Sequence, residues 1–189
     1  MDDEQLKHLI RESYPFPIAH AHKKVAGMLA DDARKLQGIV ETAELTVQFL
    51  ALLALAQVRH DLLDDRLPDL SAPLTLTRPS FGNWCYLLQN VLEAYRPQPE
   101  HLLVPELLAF YEQEVQQGAS RVHLVESPVL GALRELRNDF HHRRIPDRQI
   151  PASIEQGWEW LKHLLAAVQF LAQYKLVFTQ RILLGSIQK

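Results

Sequence analysis

The most reactive side chains lie in one run, Leu133-Arg134-Glu135-Leu136-Arg137-Asn138-Asp139-Phe140-His141-His142-Arg143-Arg144. Histidine titrates near neutrality, so it can take and return a proton during a reaction. Arginine stays charged and grips phosphate oxygens with a planar fork. Together they suit phosphodiester cleavage without a metal. The imidazole handles the proton of a ribose 2′-hydroxyl or of the leaving group, and the guanidinium offsets the negative charge that gathers in the transition state. Such chemistry addresses RNA rather than DNA, which has no 2′-hydroxyl.

A helix must position these groups. Leu130, Leu133, Leu136 and Phe140 recur at spacings of three, three and four, the mark of one buried helical face. Ser127-Pro128 supplies a cap and a first-turn proline, and Pro146 forbids continuation soon after the helix ends. The arginines, the histidines and the Asn-Asp pair therefore ride on, or just past, the last turns of a helix anchored by its apolar side. An arginine, a polar residue and a histidine after four to six intervening positions, on a helix of an all-α domain, resembles the HEPN superfamily. Arg137-Asn138-Asp139-Phe140-His141-His142 fits, with His142 as the motif histidine. The resemblance implies a metal-independent endoribonuclease that works as a homodimer, with the motifs of two subunits in one cleft. It implies that Arg137 stabilises phosphoryl charge, that His142 serves as acid or base, and that Asn138 orients the phosphate or the imidazole. It also implies a 2′,3′-cyclic phosphate product and a toxin-antitoxin or antiviral setting, with an antitoxin as partner.

A second register satisfies the same spacing, Arg134 to His141, but there the arginine is followed by Glu135. Arg137, Asn138 and His142 are preferred, with His141 as the alternate histidine. On an ideal helix Arg137 and His141 are stacked four apart, whereas His142 lies more than a quarter turn round the cylinder. Arg137 and His142 would converge only at a frayed helix end or in a site completed by a second subunit. Arg134, Arg143, Arg144 and Arg148 join Arg137 in the densest cationic patch of the chain, where an RNA backbone is expected to dock. A plainer reading stands beside this one: cations suit the negative end of a helix macrodipole, and Arg143-Arg144 would serve that alone. On that reading the chain is a non-catalytic helical dimerisation or interaction module, N-terminal to a larger regulatory protein.

Composition sets the outer bounds. A net charge of −3 and a pI near 6.3 give no global nucleic-acid signature, so any RNA must be held by a local basic patch. The apolar share of 47% and charged share of 23% are those of an ordinary globular protein. The lone Cys85 forms no intrachain disulfide and is expected to be a small buried side chain. No basic stretch followed by an apolar one opens the chain, and the apolar run Leu45 to Val58 contains Thr46, Gln48 and Gln57 and is short for a bilayer. The expected location is cytoplasmic, with no membrane partner. No cofactor or metal is expected. His60 and Asp64 are four apart but lack a third ligand, no Glu-x-x-His occurs, and His20 and His22 diverge on a helix, with surface placement expected for both.

The fold class expected is all-α, a bundle of roughly five to seven helices over residues 1–175, with a strand-like tail at 176–189 that would pair across a dimer or begin a missing downstream domain. Helices are expected over Asp2 to Arg11, Ala19 to Leu29, about Ala33 to Asp64, from a cap at Ser80 to Tyr95, from Pro105 to Gly118, through the motif, and from Ser153 to about Gln173. Tyr14-Pro15-Phe16-Pro17 reads as an extended strap, since each proline biases its predecessor away from helix. The longest helix repeats Leu36, Ile39, Val40, Ala43, Val47, Leu50 and Ala54 at helical spacing, and Phe49, Leu52, Leu53, Leu55 and Ala56 widen its apolar surface nearly all round. Its own bundle or a second subunit must cover it, which is the sequence argument for a homodimer.

Overall fold

A computed structural model describes residues 2–27, 31–64, 66–70, 80–117 and 120–174. Among them the chain is an all-α bundle of seven helices: α1 (Asp3–Ser13), α2 (Phe16–Gly27), α3 (Asp32–Leu63), α4 (Phe81–Tyr95), α5 (Glu106–Val115), α6 (Pro128–His141) and α7 (Ile150–Ala167). Short 3-10 turns fall at Pro99–His101, Leu124–Glu126, Asp147–Gln149 and Gln169–Gln173. The strand content is one two-residue antiparallel ladder, Gln116–Gln117 against Ser120–Arg121. The strand-like tail expected at 176–189 lies outside the described residues.

Short polar side chains start the helices where their spacing predicts. Asp2 accepts from the Gln5 backbone N–H at 2.8 Å while Gln5 accepts from that of Asp2 at 3.2 Å, a reciprocal cap for α1. Asp31, Ser80 and Ser127 do the same one-sidedly for α3, α4 and α6. Two starts differ from expectation. The Tyr14–Pro17 segment is no strap: Tyr14 is extended, but α2 begins at Phe16. Likewise α7 begins at Ile150 rather than Ser153. In both cases the proline falls in the first turn, where its missing N–H has no intrahelical acceptor to lose.

The bundle is built on α3. Its Leu36, Ile39, Val40, Ala43, Val47, Leu50, Ala51 and Ala54 are all buried, and α2, α4, α6 and α7 pack around it. Two glycines set how closely. A Cβ at Gly38 would lie 2.8 Å from Val25 Cγ2, and one at Gly157 would lie 2.6 Å from Leu136 Cδ2 and 3.4 Å from Ile39 Cγ2. The second contact brings α7 hard against α3 and α6. It thereby seats Leu136, which joins Leu36 and Val40 in a satellite cluster with Phe140, Ile145 and Ile150 packed on it. By length and composition α3 could cross a membrane, although only half of its most apolar stretch is buried within the bundle.

Candidate functional site

Helix α6 carries the run picked out by its chemistry. Its buried side is Leu130, Leu133 and Leu136, the register that the leucine spacing predicts. Arg137 and Asn138 follow on the half-buried flank. The Arg137 Nε donates to Glu44 Oε2 of α3 at 3.3 Å, and its Nη1 donates to Asn138 Oδ1 at 3.3 Å. The Arg137 and Glu44 side chains are 25% and 24% exposed, so the pair lies at the rim of the bundle with water on one side. Arg134, a turn earlier, has a buried Nε that makes no hydrogen bond among the described residues, and its Nη2 lies 3.8 Å from Glu135.

The helix then closes. His141 is its last residue, exposed, with its ring edge-on to Phe140 at 5.9 Å. His142 is the cap residue: its backbone N–H donates to the Asn138 carbonyl at 2.9 Å, and its imidazole is in the exposed class. Arg143 has φ 52°, the left-handed conformation usually left to glycine. From there its N–H reaches the Phe140 carbonyl at 3.0 Å, while the Arg144 N–H reaches that of Asp139 at 2.8 Å. Those two bonds satisfy carbonyls that the helix end would otherwise orphan, and a 3.6 Å ion pair between Arg144 and Asp139 sits where such caps usually place an apolar contact. The turn returns the chain to the core at Ile145 and frames a cavity of about 430 Å³ between Phe140, Arg143, Ile145, Pro146, Asp147 and Ile150. Arg148 is exposed on the 3-10 turn that follows.

Arg137 and Asn138 are therefore in direct contact. His141, His142, Arg143, Arg144 and Arg148 form an exposed corner just beyond them. Among the described residues no hydrogen bond or ion pair joins Arg137 to either histidine. Five residues along an α-helix is a rotation of about 140°, so His142 leaves the cylinder on a different side from Arg137.

A groove of about 910 Å³ opens on the other side of Glu44, between α2 and α3. Pro17, His20, Ala21 and Lys24 form one wall, Gln37, Glu41, Glu44, Leu45 and Gln48 the other, and Trp84 lies at its base. His20 meets solvent here and stacks on the exposed Phe16 at 5.4 Å. His22 corrects the expectation that both histidines lie at the surface. It is 6% exposed, stacked on Trp158 at 5.6 Å, and burial and the nearby Lys7 push its pKa down. Two positions on one helix diverge in direction, and for His22 the diverging direction is into the bundle.

Sequence reasoning also passed over a charged centre at the far end of α3. Asp61 is 2% exposed, accepts from the Tyr95 hydroxyl at 2.6 Å and the Gln57 amide at 2.7 Å, and lies 3.0 Å from His60 Nδ1 and 3.7 Å from Arg66. Burial alone would push this carboxyl up, but the hydrogen bonds from Tyr95, His60 and Gln57 and the charge of Arg66 outweigh it and hold it at about 2. Gln57 also accepts from the Leu103 N–H at 2.6 Å and donates to the His101 carbonyl at 3.1 Å, tying α3 to the loop before α5. The signal in the sequence was Gln57 and Asp61 four apart on one helix, which places two polar groups one above the other.

Cys85 is buried as expected, and burial pushes its thiol up to about 12. Among the described residues no group of three or more His, Cys, Asp or Glu side chains could hold a metal ion. Comparison of the chain with protein-family models, with curated proteins and with solved structures finds no match in any of the three.

Proposed function

We propose that the end of α6 is the site of a metal-independent endoribonuclease of HEPN type, acting as a homodimer on RNA through attack of the 2′-hydroxyl, in the cytoplasm and in a toxin-antitoxin or defence setting. Arg137 stabilises the phosphoryl charge, Asn138 holds the arginine in place, and His142, with His141 as alternate, takes or gives the proton. Arg134, Arg143, Arg144 and Arg148 hold the RNA backbone. The observation that supports this reading most is the contact between Arg137 and Asn138, within a turn along the chain of the exposed His141, His142, Arg143 and Arg144. The helix end there turns through a left-handed arginine, at some conformational cost.

Single-stranded and structured RNA incubated with the protein in excess chelator tests it. Wild type is expected to leave 2′,3′-cyclic phosphate ends, and Arg137→Ala and His142→Ala are expected to lose most of that activity. Equal, negligible cleavage by all three proteins overturns it. One observation favours a second reading, the non-catalytic interaction module: Arg137 already has a carboxylate partner in Glu44, and a guanidinium neutralised in this way binds phosphate less strongly. On that reading Glu44→Gln leaves RNA binding unchanged, whereas on the nuclease reading it strengthens it.

A further inference from the structure

The chain between α6 and α7 does more than connect them. From Phe140 to Ile150 it closes round a cavity of about 430 Å³, inside the range of small-ligand sites, roughly 300–1,000 Å³. The floor is apolar. Phe140, Ile145 and Ile150 pack on the cluster of Leu36, Val40 and Leu136, which fixes them in place, and Pro146 lies beside them. Two backbone features set the rim. One is the left-handed turn at Arg143. The other is the 3-10 turn in which the Gln149 N–H donates to the Pro146 carbonyl at 2.8 Å and the Ile150 N–H to that of Asp147. Arg143 and Asp147 are the two charged residues of the lining. They are opposite in sign and both exposed, yet among the described residues neither side chain makes an ion pair or a hydrogen bond, even with the other.

We infer that this pocket receives a guanine base, presented by the RNA whose cleavage is proposed above. The source of the base rests on the ribonuclease reading; the choice of base rests on the lining alone. A flat ring suits an apolar floor, and unstacked RNA bases are recognised by stacking and by hydrogen bonds to their edges. A carboxylate only accepts, through two oxygens side by side. Among the four RNA bases, guanine alone offers such a pair two neighbouring donors, N1–H and N2–H. On cytosine and adenine the amino group stands next to a ring-nitrogen acceptor, and on uracil the one N–H stands between two carbonyls. Each of those three therefore sets a lone pair against Asp147. The adjoining edge of guanine carries two acceptors, O6 and N7, which a guanidinium fork reads together. Arg143 is the donor at hand for them, which leaves Arg134, Arg144 and Arg148 for the backbone. Because Arg143 follows His142 directly in the chain, the base held here belongs to a nucleotide beside the scissile phosphate.

Titration calorimetry of the full chain with nucleoside monophosphates gives the test and needs no catalysis. Guanosine monophosphate is expected to bind about ten-fold or more tighter than the adenosine, cytidine and uridine forms. Inosine monophosphate, which lacks the 2-amino group, is expected to fall between, as is 7-deazaguanosine monophosphate, which lacks the N7 acceptor. Asp147→Asn changes an exposed side chain outside the core and is expected to bind the guanosine and inosine forms alike. Arg143→Gly is expected to lose the distinction between guanosine and its 7-deaza form. In RNA cut by wild type the breaks are expected beside guanosine, and in RNA cut by Asp147→Asn that preference is expected to be gone. No binding of guanosine monophosphate, equal binding of all four monophosphates, or a preference that survives in Asp147→Asn overturns the inference. So does cleavage indifferent to sequence while guanosine monophosphate still binds, which would give the pocket to a free guanine nucleotide. Selective binding that depends on Asp147, with no cleavage of any RNA, would uphold the guanine pocket and remove the ribonuclease.

Discussion

The two ends of the bundle treat charge in opposite ways. At the C-terminal end of α3, Asp61 is withdrawn from water and every polar group around it is answered: Tyr95, Gln57, His60 and Arg66 all turn toward one carboxylate. At the C-terminal end of α6 the charged groups face outward, the histidines are tied among the described residues through a backbone bond and a ring contact, and one residue is held in a conformation that costs free energy. A carboxylate with that many partners cannot leave them, so it fixes one arrangement of α3, α4 and the loop before α5. An imidazole whose ring nitrogens make no hydrogen bond among the described residues adds little to the fold. The difference separates charge that holds the structure from charge available for chemistry.

The largest break in this comparison is Asp61→Ala. It strands the Tyr95 hydroxyl and the Gln57 amide in the interior, and the loss is expected to be about 3 kcal/mol, read as a lowered urea midpoint at unchanged slope. The next is pH. The Asp61 carboxyl is held at about 2 against an ordinary 3.8, so the folded state binds its proton less readily than the unfolded state. Its contribution is whole above pH 4 or so and drains away as pH falls from there toward 2, about 2 kcal/mol in all. Asp61→Asn should flatten that part of the pH profile, and an equal acid slope in both proteins would show that the network is not what resists acid.

Much of this architecture was legible in the chain. Leucines at three and four gave α6 its buried face, Ser127-Pro128 gave its start, and Ser80 and Pro105 bracketed α4 and α5. What hid was whatever depends on another element. Asp61 looks like a helix-end carboxylate until Tyr95, on the next helix, reaches it. His22 looks like half of a surface pair until Trp158, far along the chain, stacks on it. Glu44, the partner of Arg137, is one of several acidic residues on α3 and is separated from it by 93 residues. Within the site, Arg137 with Asn138 could be foreseen from adjacency, whereas the left-handed turn at Arg143 could not, because nothing but a glycine advertises that conformation in sequence.

That turn gives the third prediction. Arg143→Gly removes the Cβ from a left-handed position and keeps both backbone bonds of the cap, so it is expected to stabilise the protein by about 1 kcal/mol, seen as a higher melting temperature. A loss of stability would mean that the arginine side chain, and not the backbone turn, secures the helix end. Smaller still is the rim pair. Arg137→Ala, Glu44→Ala and the double substitution form a cycle whose coupling is expected to be about 0.5 kcal/mol, since both groups keep one side in water.

The smallest expected effect on stability divides the two regions most sharply. His142→Ala removes an exposed ring whose backbone N–H bond to Asn138 survives the substitution, so stability should change by no more than about 0.5 kcal/mol. His141→Ala removes the edge contact with Phe140 and should cost slightly more. If His142 is the proton-transfer group, RNA cleavage falls in His142→Ala while the urea curve stays where it was. If His141 is, the ranking of the two variants in cleavage reverses while their ranking in stability does not. The opposite pattern, a His142→Ala protein that unfolds as readily as Asp61→Ala, would mean that the end of α6 is structural after all, and the distinction between charge that holds and charge that acts would no longer run between these two corners.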